Sequence, residues 1–163
     1  MTTAAQRQKL CDLMDWAFSE RHRISYPPGD KRVTTVHHIV SVADFKADVL
    51  AGRAEWDCTQ MTYALLGAVF GGVKNQDGYT GTQLTDFLPH YTDPRRAYPG
   101  ALVVLGPRTG DHGCMVRHRD AVHGDPLVFS HGGNGTFAAR FVPLSVEAKS
   151  HKPPVTLCSI AHL

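Results

Sequence analysis

The chain changes its hydrophobic period once, and that change limits the folds open to it. Up to about residue 90 the apolar residues recur every three or four positions; from about residue 98 they come in short runs bounded by glycine and proline. A period near 3.6 marks helices packed along one stripe, and short apolar runs with turns between them mark strands. Helices first and strands second is the order of an α+β fold, not of alternating βαβ units. With 163 residues the chain has room for one domain. The expected layout is a helical part over about 1–90 and a sheet part over about 98–163.

Leu10, Leu13, Met14 and Ala17, widened by Trp16 and Phe18, predict an amphipathic helix over residues 5–20. Tyr26-Pro-Pro-Gly-Asp30 ends it in a loop. Residues 33–40 read as a short strand. Ser41 then suits an N-cap with Asp44 three residues on, and Gly52 suits the stop of the helix between them. A further helix starts at Asp57, a favoured cap, with Met61, Leu65, Ala68 and Val69 behind it and Gly71-Gly72 at its end. Residues 83–88 read as a short helix and residues 91–100 as loop. Strands are expected over residues 101–105, 112–118, 127–131, 136–142 and 155–160. Together they make a five- to six-stranded antiparallel sheet with the helices packed on one side.

Several function classes drop out. Lys and Arg number 17 against 15 Asp and Glu, a net charge of +2, too balanced for a dedicated nucleic-acid binder. The longest apolar stretch, residues 63–73, contains three glycines and is far short of the roughly 20 residues of a spanning helix, so no membrane insertion is expected. The N-terminus lacks the apolar core of a secretory signal, which predicts synthesis in the cytoplasm without a signal peptide. The four cysteines form no Cys-x-x-Cys pair, so a zinc knuckle or a thioredoxin-like motif is not expected.

Cys58 is the exceptional cysteine. It follows an N-cap aspartate and so stands in the first turn of a strongly apolar helix. The free N–H groups there carry positive partial charge, which favours a thiolate. The same groups can hold the oxygen of a tetrahedral intermediate. A nucleophilic thiol needs an imidazole within hydrogen-bond reach. His112 opens one expected strand and His131 closes its neighbour, so the two can lie side by side, one as base and the other as its orienter. Cys11, Cys114 and Cys158 read as small buried hydrophobes.

Four segments in this order, Asp57-Cys58-Thr59-Gln60, Tyr98-Pro-Gly-Ala-Leu-Val-Val104, His112-Gly-Cys-Met-Val116 and Val128-Phe-Ser-His-Gly132, resemble the NlpC family of papain-like cell-wall peptidases. The resemblance covers roughly residues 53–135. It implies a papain-like fold with Cys58 as nucleophile, His112 as base and His131 as orienting residue, and no metal or cofactor. Tyr79-Thr-Gly-Thr-Gln83 resembles the polar stretch that the family places between the nucleophile helix and the Pro-Gly strand. Trp56, Asp57, Thr82 and Gln83 are the candidate substrate-binding residues, with Tyr26 a further candidate for the cleft. Ala101 stands where the family usually has Asp, and the aromatic-Gly-Gly segment upstream of the cysteine is missing. The implied activity is hydrolysis of peptide or amide bonds in peptidoglycan stem peptides. A leaderless enzyme of this kind would reach the wall after release, as a phage lysin does, or by effector export.

Two other readings stand beside this one. His112 and Cys114 share a strand face, so with His118 or His123 they could hold zinc for a metal-dependent peptidase. Alternatively the trio is incidental, and the chain is a non-catalytic virion or wall-binding module.

Overall fold

The computed structural model describes residues 1–27, 36–73, 79–119, 124–132 and 138–163. Helix α1 (Ala4–Ser19) is held at its start by a reciprocal pair: Thr3 accepts from the Gln6 N–H and Gln6 reaches back to the Thr3 N–H. Helix α2 (Val42–Leu50) starts from the expected Ser41, whose hydroxyl accepts from the Asp44 N–H. Helix α3 (Cys58–Phe70) starts from Asp57, which shares a second capping box with Gln60, and ends at Gly71 in the left-handed region. Helix α4 runs over Thr80–Asp86, three residues earlier than the apolar pattern predicts. A four-residue helix, α5 (Leu144–Glu147), was not expected at all.

The strands are β1 (His90–Tyr91), β2 (Leu102–Leu105), β3 (His112–Arg119), β4 (Pro126–Ser130), β5 (Arg140–Pro143) and β6 (Val155–Cys158). They form one antiparallel sheet in the order β1-β6-β2-β3-β4-β5. The α+β class and the antiparallel sheet agree with the sequence. Strand β1 replaces part of an expected loop, because two residues are too short a run to show a period. The strand expected over 33–40 is not found where the chain is described: residues 36–40 form a turn, with the Ile39 N–H on the Val36 carbonyl, and residues 33–35 lie outside the described residues.

Both faces of the sheet are covered. Leu102, Val104, Met115 and Phe129 face the helices and join Leu10, Met14, Phe45, Trp56, Met61 and Leu65 in the larger core. Val103, Cys114, Val116 and Val128 face the other way and pack with Leu144 of α5 in a smaller cluster. Each fully buried side chain of this size contributes about 1.5–3 kcal/mol relative to exposure. The expectation of helices on one side only therefore needs correction: α5 covers the second face. No helix among the described residues is long and apolar enough to cross a membrane.

Candidate active site

The start of α3, the start of β3 and the end of α5 meet at one end of the sheet. Cys58 is the first residue of α3, aimed by the Asp57 cap. Both the His112 side chain and the Gly113 N–H act on its sulfur to favour the thiolate. On the other edge of the His112 ring, Nε2 lies 2.9 Å from Ser130 Oγ and 3.2 Å from Glu147 Oε1. The Ser130 hydroxyl donates onward to Glu147 Oε1 at 2.7 Å, so it accepts from His112. With Nε2 so engaged, Nδ1 is the nitrogen left for the sulfur. Arg140 closes the chain, donating from Nη2 to both Glu147 oxygens at 2.8 and 2.7 Å.

The charges agree with this geometry. Burial pushes the Cys58 thiol up, but the hydrogen bond and charge of His112 outweigh it and the net shift is down. Burial pushes His112 down, and its bonds to Cys58 and Glu147 reverse this, to about 9. Burial raises Glu147, and donors from His112, Ser130 and Arg140 bring it to about 2. The set runs from a thiol shifted toward its thiolate, through an imidazole held in its charged form, to a carboxylate and a guanidinium. The other three cysteines are buried and free, and burial is the first cause that raises each: Cys11, Cys114 well above its usual value, and Cys158 to about 12.

His131 is not behind His112. Its Nε2 bonds the Trp56 carbonyl at 2.8 Å and the Ser25 carbonyl at 3.3 Å. Burial, only partly offset by these carbonyls, lowers it to about 4, so the ring is neutral and Nε2 carries its proton. The reason is strand alternation. Cys114 pairs with Ser130 and Met115 with Phe129 across β3 and β4. His112, Cys114 and Ser130 therefore share one face, whereas His131 follows Phe129 to the helix face. There it ties the Ser25 segment to the residues that lead into α3, beside the Trp56 N–H bond to the Ser25 carbonyl. The place against His112 expected of His131 is taken by Glu147, through a direct contact and through Ser130.

The Tyr26 ring lies 5.4 Å from the His131 ring. A side chain on Gly132, at φ +75°, would strike that ring at 2.3 Å, so only glycine admits it. Burial, followed by the charge of Cys58, raises the Tyr26 phenol. Of the four expected substrate-binding residues, Trp56 and Gln83 are completely buried. Asp57 is half-buried and caps α3 through Gln60, and Thr82 accepts from the Tyr79 N–H at 3.2 Å. Arg140 and Glu147 belong to no motif of the sequence, and Ser130 stands in one without an expected role. Ser130 was within reach of strand parity; no spacing pointed to Glu147.

Cys114 joins no group of three potential metal ligands among the described residues, whereas His112, Glu147 and His151 do. His123 lies outside the described residues. A cavity of about 510 Å³ lined by Gly72, Val73, Phe87 and His162 sits at the opposite end of α3 from Cys58. No family model matches the chain, and no curated protein or solved structure shows significant similarity to it.

Proposed function

We propose that the chain is a thiol hydrolase that cleaves peptide or amide bonds in peptidoglycan stem peptides, on a papain-like scaffold of the NlpC kind. The observation that carries the chemistry is the His112 ring, set through Nε2 against Ser130 and the buried Glu147 and acting on the Cys58 sulfur to favour its thiolate. The motif order around Cys58, His112 and Val128–Gly132 supports the substrate class. The action would fall on the cell wall after release, as for a phage lysin.

The Cys58 thiolate attacks the substrate carbonyl carbon. The N–H groups at the start of α3 stabilise the oxygen that becomes negative. His112 gives its Nδ1 proton to the leaving amine, the C–N bond breaks and a thioester remains. His112 then takes a proton from water, the hydroxide attacks the thioester, and the acid leaves with the thiolate restored. Glu147, fixed by Arg140, holds the ring and its positive charge in place throughout. Cys58 keeps 8 % of its surface exposed against 2 % for His112 and none for Glu147, so substrate meets the sulfur first.

Purified peptidoglycan is the direct test, with released muropeptides identified by mass spectrometry. The wild-type chain yields cut stem peptides, Cys58→Ala yields none, and alkylation of the thiol stops the reaction. Full hydrolysis by Cys58→Ala would sink the proposal. Loss of activity in chelator with none in alkylator would transfer it to a metal-dependent peptidase. Binding to the wall without any cleavage would make the chain a non-catalytic module.

A further inference from the structure

We infer that His112, Glu147 and His151 form a zinc-binding site whose occupation switches the hydrolase off; the switching, though not the binding, rests on the function proposed above. Each of the three residues offers one donor atom, and these atoms lie within 4.8 Å of one another. Two imidazoles and a carboxylate suit zinc rather than calcium or magnesium. Glu147 and His151 are four residues apart across the helical turn formed by α5 and residues Ala148–Ser150. That spacing sets two ligands on one side of the chain.

His151 has no part in the thiol chemistry, yet its position is particular. Its ring stacks on the His112 ring at 5.1 Å with only 5° between the planes. Its Nε2 is shut off from solvent and has no hydrogen-bond partner among the described residues, a costly state for a buried polar atom. A metal ion bonded to that nitrogen would relieve the cost. Donors around a tetrahedral zinc stand about 3.4 Å apart, so the half-buried His151 ring must turn to bring its lone pair onto the shared point. Glu147 Oε1 already faces His112; it also accepts from Ser130 at 2.7 Å and Arg140 at 2.8 Å, donors that zinc would displace there while Arg140 keeps its bond to Oε2 at 2.7 Å as an outer-shell partner.

Zinc on His112 Nε2 takes the place of the proton there, which leaves to solvent. The ring then carries the metal on one nitrogen and a proton on Nδ1. That N–H is a far weaker acid than an imidazolium and does not pass its proton to a leaving amine. Acylation of Cys58 stops until zinc departs.

Calorimetric titration with zinc chloride tests the site in Cys58→Ser protein, where the sulfur is no longer a rival ligand. The expected result is one zinc per chain, with affinity falling about tenfold or more when His151→Gln is added. Circular dichroism verifies that both proteins are folded. In the digestion assay zinc inhibits the wild type and chelator restores it. His151→Gln works at the wild-type rate without zinc and needs about tenfold more zinc to be stopped. Absence of stoichiometric zinc, or equal affinity with and without His151, overturns the site. Equal inhibition of His151→Gln, or stimulation by zinc, overturns the switch. A chain that hydrolyses nothing but binds zinc through His151 refutes the hydrolase and leaves the site standing.

Discussion

His112 and His131 are equally buried, 2 % exposed each, yet one favours its charged form and the other its neutral form. One is held up to about 9 and the other down to about 4. Burial pushes both downward; what differs is the company. His112 has a sulfur on one edge and a carboxylate backed by a guanidinium on the other. His131 has two backbone carbonyls and a tyrosine ring. Carbonyl dipoles satisfy a neutral N–H but do not hold a full positive charge out of water, whereas a neighbouring carboxylate does. A buried histidine is thus a catalytic candidate only when an anion stands behind it.

Removing that anion breaks the comparison most severely. Glu147→Gln leaves Arg140 without its buried partner and His112 without its carboxylate. Hydrolysis should fall by roughly 10²- to 10⁴-fold, as when a triad loses its acid, and stability by about 3–5 kcal/mol, read by muropeptide release and by urea unfolding. Unchanged activity in a folded Glu147→Gln protein would return the orienting role to another group.

Acid sharpens the contrast from the His131 side. The unfolded chain protonates this residue near 6.5, whereas the folded chain resists until about 4. Stability therefore declines as pH falls from 6.5 to 4, by at most about 3 kcal/mol from this residue. His131→Gln, neutral at every pH, should flatten that part of the curve while keeping most of the wild-type hydrolysis at neutral pH. A variant that loses catalysis as Glu147→Gln does, yet unfolds like the wild type, would make His131 part of the reaction. The smallest effect is expected at the aim of the nucleophile: Asp57→Ala removes the α3 cap and should cost about 1 kcal/mol, measured by thermal unfolding.

What the residues disclose in advance is local. Asp57 and Gln60 announce a helix start three positions apart, and Cys58 inherits its place from them. The Gly-bounded runs announce strands, and both ends of α3 fall where Asp57 and Gly71 put them. The parts that stay hidden depend on pairing. The face of His112 follows from the register Cys114 to Ser130, which no spacing within either strand encodes. Glu147 sits in a helix of four residues, too short for a period. Its carboxylate is recruited from across the sheet, where burial and Arg140 give it meaning. Trp56 and Gln83 share this fate: near the site in sequence or by motif, they are committed to the interior.

Gln83 also shows how two distant positions become one. A methyl group on Gly113 would come within 2.7 Å of its amide oxygen, and Gly113 is the residue whose N–H favours the Cys58 thiolate. The empty space at 113 is filled from another helix, thirty places earlier in the chain. Alanine at 113 would press first on the end of the Gln83 side chain, and how far that side chain yields decides how much of the push reaches the backbone beside Cys58.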